Sequence, residues 1–248
     1  MPALINDETY AFALAQEVQE KVLLDKGLHV NIPENEVQDL QRIDISGHHY
    51  HKAKRFLDFF FACGGFLVLL IPMAILAAMV YLDDPGKIIF SQYRVGLNGK
   101  RFKIYKFRSM KTTTPKYLAT DEIDDPQQYF TRIGKLLRKF SLDELPQLVN
   151  VIKGDMSFIG PRPLISDEYE MHIMRMRFGV YATRPGITGL AQINGRDNVT
   201  PVEKIHYVVQ YIRDFGFRTD AKILLSTIPK VLNKEDIKDG SPAKSADK

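Results

Sequence analysis

Cysteine occurs once in the 248 residues, as Cys63. A single thiol excludes a disulfide framework within the chain, which suits a reducing compartment. Cys63 lies in an apolar run, where a buried thiol is inert. The stretches "GLNG" and "GITG" lack the Lys-Ser/Thr ending of a P-loop. Internal repeats and a Ser-His-Asp arrangement are missing. The opening "MPALINDETYAFALAQEVQEKV" carries acids where a secretory leader carries bases. Two further absences are local. No charge occurs from Phe59 to Leu82, and no acid occurs from residue 86 to 111.

The uncharged run belongs to "FLDFFFACGGFLVLLIPMAILAAMVYL", residues 56–82, with Asp58 near its start. It is long enough to cross a hydrocarbon core of roughly 30 Å as a helix. A soluble core helix is rarely apolar on every face. Pro72 sits mid-run, removes one backbone hydrogen bond, and is expected to kink or break the helix. Both flanks are basic, "HHYHKAKR" before and the stretch from Lys87 after. The positive-inside rule pulls both flanks to the cytoplasm. A re-entrant, proline-broken helix satisfies both, and a single straight span does not.

The acid-free window holds eight Lys/Arg, a field that favours phosphates, nucleic acid or anionic lipid headgroups. A solvated basic hairpin is the plainer reading. The whole-chain charge of +4 conceals −5 over residues 1–52 and +9 over the rest. Composition is 45% hydrophobic and 26% charged, which excludes disorder for the chain as a whole.

An amphipathic helix is predicted at about 7–24, with a short element and linker over 26–50. "KIIFSQYRVGLNGKRFKIYKFRSM" alternates around Asn98-Gly99, a hairpin signal. Residues 112–128 read as an exposed loop. "FTRIGKLLRKFS" sets Ile133, Leu136, Leu137 and Phe140 against Arg132, Lys135, Arg138 and Lys139, a basic amphipathic helix suited to a membrane surface. "LPQLVNVIKG" is a second helix with Gly154 at its stop, and residues 164–178 form a third. "RPGITGLAQINGRDN" reads as a glycine-rich loop. Helices follow at about 201–214 and 219–232, and the tail from Asn233 is polar. The histidines of "GHHYH", 47–51, read as a polar anchor beside the membrane rather than a metal site. The predicted organisation is an acidic extension (1–52), a re-entrant membrane helix (53–84), a catalytic domain (85–232) and a polar tail (233–248).

The stretch "SLDELPQLVNVIKGDMSFIGPRP", 141–163, concentrates the chemistry. Ser141 and Glu144 have capping-box spacing, but Pro146 would then sit where its missing N–H should already bond. A helix starting at Asp143 places Pro146 in the first turn, where no partner is lost. Asp143 and Glu144 then lie at the positive end of the helix, which stabilises anions. Neighbours on a helix diverge in direction, so two different roles are more natural than one acid–base pair. One carboxylate can attack phosphorus, and the other can hold a divalent cation. Arg162, fixed between Pro161 and Pro163, offers a planar fork to phosphate oxygens.

From Lys54 to about Leu232 the chain resembles the bacterial sugar transferase family, the monotopic phosphoglycosyl transferases. The resemblance rests on "KRFLDFFFA" leading into an apolar run with a central proline, then "FSQYRVGLNGKRFKIYKFRSM", "IGKLLRKFSLDELPQLVNVIKGDMSFIGPRPL" and "RPGITGLAQINGRDN", in that order. It implies transfer of a sugar-1-phosphate from a UDP-sugar to undecaprenyl phosphate, release of UMP, and a need for Mg2+. It implies that Asp143 is the nucleophile that forms a covalent phosphosugar and that Glu144 is the Mg2+ ligand. It implies further site residues at Arg138, Lys106, Arg108 and Arg162, with Pro72 as the break of the re-entrant helix. One departure stands out: many relatives carry Asp where this chain has Val208, in "VVQYI". The acidic extension lies outside the common core, and regulation, folding support and self-association as a homodimer are roles open to it.

The expected molecule is therefore an α+β enzyme at the cytoplasmic face of a bacterial inner membrane. It is helix-rich with a small β-hairpin, and its partners are a UDP-sugar, undecaprenyl phosphate and the bilayer, not nucleic acid. Two other readings compete: a membrane-surface phosphatase or phosphodiesterase, which passes the phosphoryl group to water, and a basic membrane scaffold without catalysis.

Overall fold

The computed structural model describes residues 40–114, 126–166, 168–195 and 199–233. The helix expected at 7–24, much of the loop expected at 112–128 and the polar tail fall outside these residues. Helix α1, Tyr50–Asp83, is 34 residues long, about 50 Å at 1.5 Å per residue. Its most apolar stretch has a mean hydropathy of 2.5, and only 6% of that stretch is buried. Leu67, Val68, Ile71 and Ile75 are bare. So many exposed aliphatic side chains on one helix call for an apolar medium.

The helical backbone continues through Pro72, so the proline does not end it. Pro72 lies on the exposed side. The opposite side packs against the rest of the molecule along its whole length. Ala62, Phe66 and Leu69 meet Phe102, Ile104, Leu148 and Val151. Met73, Leu76, Ala77 and Val80 meet Phe107, Ile133, Leu137, Leu142 and Leu145. The spacing of three and four residues is one face of an α-helix. Helix α1 therefore lies along the domain instead of projecting from it.

The hairpin forms as its pattern predicts. Strand β1, Ile89–Val95, pairs antiparallel with β2, Arg101–Phe107, from Ile89 opposite Phe107 to Val95 opposite Arg101. Asn98 and Gly99 take positive φ, 53° and 74°, in the connecting turn, as a tight hairpin turn requires. Helix α2, Arg132–Lys139, is capped by Thr131, whose Oγ1 accepts from the Gly134 N–H at 2.8 Å. The Asp83 carboxylate, at the end of α1, accepts from the Ile133 N–H at 2.8 Å. Two of the four open donors at the start of α2 are met by side chains.

A 3₁₀ turn, Leu142–Gln147, runs into α3, Leu148–Lys153, which stops at Gly154 in the left-handed conformation. Strand β3, Ser157–Ile159, pairs in parallel with β4, Gly186–Thr188. The expected glycine-rich loop thus contains a strand. A Cβ on Gly186 would lie 2.1 Å from the Gly160 nitrogen, so this close approach demands glycine. The expected helix at 164–178 is shorter: α4 spans Tyr169–Arg177. A short α5, Leu190–Ile193, precedes α6, Pro201–Arg213, and α7, Phe217–Asn233. The main core gathers Phe178, Ile205, Val209, Tyr211, Ile212 and Ile223 from α4, α6 and α7. Val208 belongs to this core and is 3% exposed, so the position where many relatives carry Asp is an apolar packing site here.

One buried carboxylate ties α1 to this core. Asp220 on α7 pairs with Lys54 and accepts from the Tyr50 hydroxyl at 2.9 Å and the Tyr211 hydroxyl at 3.0 Å. Lys54 and Asp220 are both buried. Asp220→Ala would leave Lys54 charged and unpaired, a loss of about 3–5 kcal/mol. Thermal unfolding of the detergent-purified chain should show a correspondingly lower midpoint, and an unchanged midpoint would contradict the clamp.

Candidate active site

Three elements bring the predicted residues together. Ser141 takes a left-handed conformation, φ 54°, and its side chain makes no cap. The capping-box alternative is thereby excluded. The helical turn starts at Leu142, one residue before the expected start at Asp143, and it is 3₁₀, with Pro146 inside it. Asp143 points inward and is 7% exposed. Glu144 turns to β2, where its Oε1 accepts from Lys106 Nζ at 2.6 Å. The two carboxylates therefore diverge, as adjacent positions on a helical turn do.

The contact between Lys106 and Glu144 depends on α3 holding its register against β2. Asn150, fully buried in α3, supplies it. Its Oδ1 accepts from the Tyr105 N–H at 3.1 Å, and its Nδ2 donates to the Lys103 carbonyl at 2.6 Å. Asn150 thus substitutes for a missing strand neighbour and satisfies β2 backbone groups on both sides of Ile104.

The Pro161-Arg162-Pro163 turn lies beside the end of β1. The Val95 N–H donates to the Leu164 carbonyl at 3.0 Å. Both prolines are buried and Arg162 is exposed. The Arg162 carbonyl accepts from Arg175 Nη1 at 2.7 Å, and the Pro163 carbonyl from Arg94 Nη1 at 3.3 Å. Buried Arg175 and half-buried Arg94 thus grip the turn's backbone, and Arg162 faces outward.

Arg94 is a site residue that sequence reasoning missed. Burial lowers its guanidinium pKa to about 10, and the Arg162 charge adds to the fall, while Glu168 and Glu144 oppose it. Arg94 therefore lies within electrostatic reach of both the dyad and the Pro-Arg-Pro turn. Its Nε is buried and bonds no protein group. The signal was present in "SQYRVG", an arginine within an alternating strand. Arg108 has a different setting. It donates to the Asp84 carbonyl and lies 3.4 Å from the Asp84 carboxylate, where it fastens the end of α1. The structure does not bring it to the dyad through any of these contacts. Arg138 does act on Asp143, and its guanidinium also lies over the Phe130 ring at 4.7 Å.

Burial pushes the Asp143 carboxyl above its ordinary 3.8, and the neighbouring Glu144 charge adds to the rise. Lys106 and Arg138 pull it back. A partly desolvated carboxylate held among cations has the chemistry to serve as a nucleophile toward an electron-poor centre. The donor set has no ready-made metal cage. Among the described residues, no three His, Cys, Asp or Glu side chains form a cluster. A single carboxylate such as Glu144 is compatible with Mg2+, which is commonly held by one or two carboxylates together with substrate phosphates. The histidines of 47–51 do other work: His48 and His51 pack on Phe215, with ring centroids 5.5 and 4.6 Å away.

Residues 49–234 match the family model described as bacterial sugar transferase. This chain belongs to the bacterial sugar transferase family. A galactosyl transferase, CpsE, of Streptococcus agalactiae is 44% identical over 193 residues, which cover 73% of this chain and 42% of that protein. An uncharacterized sugar transferase, EpsL, of Bacillus subtilis is 42% identical over 162 residues, 64% of this chain and 77% of that protein. A UDP-glucose:undecaprenyl-phosphate glucose-1-phosphate transferase of Caulobacter vibrioides is 38% identical over 193 residues, 74% and 71% of the two chains. The matched residues take in α1, the hairpin, the dyad and the Pro-Arg-Pro turn. The family match begins at residue 49 and so leaves out all but the last four residues of the acidic extension.

Lys106→Gln deletes a cation that holds the Asp143 pKa down and that also bonds Glu144. Its loss raises the Asp143 pKa. A ¹³C NMR titration of the Asp143 carboxyl should give a midpoint higher than in the unaltered chain. A midpoint equal to or below it would refute the assigned electrostatics.

Proposed function

We propose that this sugar transferase moves a sugar-1-phosphate from a UDP-sugar to undecaprenyl phosphate through a covalent intermediate on Asp143. The observation that carries the reading is a buried, cation-flanked aspartate on the domain that carries the bare apolar helix. An Asp143 carboxylate oxygen attacks the β-phosphorus of the nucleotide sugar. The bond from that phosphorus to the bridging oxygen breaks, and UMP leaves with its electron pair. An oxygen of undecaprenyl phosphate then attacks the same phosphorus, and Asp143 departs as carboxylate. The products are UMP and a diphosphate-linked lipid sugar, and no proton is needed from the protein.

Lys106, Arg138, Arg162 and Arg94 supply the positive field that lets an anion approach an anionic diphosphate. Arg162 reaches from its rigid turn with little ordering entropy to lose. Glu144 would hold Mg2+ as the diphosphate arrives, and the cation would shield phosphate charge there. Arg108 acts by fixing the end of α1 relative to β2.

The membrane placement follows the same reasoning. Lys54 and Arg55, near the start of α1, bond Asp220 and the α3 carbonyls, and Asp83 and Asp84, at its end, bond α2 and Arg108. Both ends are thus held by one domain, and the packed stripe between them allows no departure from it. This supports a helix that stays within one leaflet over one that crosses the bilayer. The basic flanks favour the cytoplasmic face of the inner membrane for the domain.

Asp143→Asn should lower release of UMP from a panel of UDP-sugars with undecaprenyl phosphate by about three orders of magnitude or more. Substantial retained activity would remove Asp143 as nucleophile. Hydrolysis of UDP-sugar without lipid would favour a phosphodiesterase instead. Glu144→Gln should raise the Mg2+ concentration needed for half-maximal rate, and an unchanged requirement would count against its place at the metal.

A further inference from the structure

The N-terminal end of α1 carries a second cationic site that the transfer reaction does not use. His51, Lys52, Arg55 and Arg184 line one open pocket of about 530 Å3 together with Phe56 and Phe59. Two of its guanidiniums are fixed in place. Arg55 donates from Nη1 and Nη2 to the Val151 and Ile152 carbonyls, at 2.6 and 2.8 Å. Arg184 donates from Nε to the Gly154 carbonyl at 2.8 Å. These bonds use the open carbonyl end of α3, and the remaining N–H groups of both forks stay available. Among the described residues, no carboxylate lines the pocket. The acid acting on Arg184 is Asp58, which is buried and accepts from the Phe158 N–H. Burial, and after it the Arg55 charge, press the Arg184 pKa below its ordinary value. Like charges held together by the backbone need an anion.

The surroundings specify which anion. Phe56 and Phe60 are 69% and 63% exposed and stack with centroids 6.4 Å apart at the opening of the apolar run. A ligand here meets cations at one end and bare aromatic surface at the other. It therefore has a phosphate and a hydrocarbon chain. It is remote from the dyad, whose flanking residues Leu142 and Leu145 pack on α1 around Leu76 and Val80. That is about twenty residues from Arg55, roughly 30 Å along a helix.

We propose that this pocket binds the phosphate headgroup of an anionic membrane phospholipid and so pins the start of α1 at headgroup depth. The site stands on the membrane reading of α1 and not on the transfer reaction, and its test does not read activity. The purified full-length chain in detergent, with dioleoyl phosphatidylglycerol or dioleoyl phosphatidylcholine added, is assayed for retained lipid by native mass spectrometry. Phosphatidylglycerol should be retained in preference. Arg184→Gln and Lys52→Gln should each weaken that retention about fivefold, the effect of one surface charge near an anionic lipid, and leave phosphatidylcholine unchanged. Lys52 makes no side-chain hydrogen bond among the described residues, so its variant keeps the test informative if loss of Arg184 impairs folding. Lys222→Gln on α7 serves as a control and should change neither. Equal retention of the two lipids, or a preference untouched by both variants, would overturn the proposal. One-for-one displacement of phosphatidylglycerol by added undecaprenyl phosphate would also overturn it, because the pocket would then belong to the acceptor.

Discussion

The buried carboxylate of Asp220 is the constraint on which the rest of this structure depends. A charge inside a protein is tolerated only when its partners are complete, and here three donors come from two helices. Lys54 and Tyr50 belong to the start of the apolar helix, and Tyr211 belongs to the core helix α6. The Tyr211 hydroxyl also lies 3.3 Å from the Ile159 carbonyl in β3, the strand that leads directly into the Pro-Arg-Pro turn. A single acid thus joins the apolar helix, the core and the strand that delivers Arg162. The burial of these groups, together with the Asp220 charge, also holds the Tyr211 hydroxyl well above its ordinary pKa, so it remains a donor across the physiological range.

The candidate site works by the same balance at smaller scale. Asp143 gives up water, which alone would favour its neutral form, and Lys106 and Arg138 restore part of the ionised form. Glu144 keeps Lys106 in place and at the same time raises the cost of charging Asp143. The dyad is therefore not a symmetric pair. One member is a hidden, reluctant anion, and the other is a partly buried anchor for a cation, whether an ammonium or a metal. Arg94 completes the field from the strand side while gripping the turn that carries Arg162.

Much of this was legible in the sequence because the signals were local. Pro146 ruled out a cap at Ser141, alternation around Asn98-Gly99 marked the hairpin, and an uncharged run marked α1. The error of one residue at the start of the dyad turn came from treating it as α-helical, whereas 3₁₀ geometry lets the turn begin at Leu142. What was not legible depends on partners far apart in the chain. Strands β3 and β4 have three residues each, too few for a periodic signal. Asn150 looks like an odd polar residue in an apolar helix until β2 is placed against it. Arg108 stands within a basic motif, yet its partner, Asp84, lies 24 residues upstream. Val208 could be recognised as a departure, but only the core around it explains why an apolar residue is at home there.

The stripe of α1 that packs on the domain runs from Ala62 to Val80 without a gap in its phase. That continuity makes the helix a keel. In the proposed membrane placement its bare side faces lipid and its packed side faces protein, so the rotation of the helix about its own axis fixes the heel of the whole protein. The waterline is then drawn by side-chain geometry, and the dyad floats at one set draught relative to the bare face of α1.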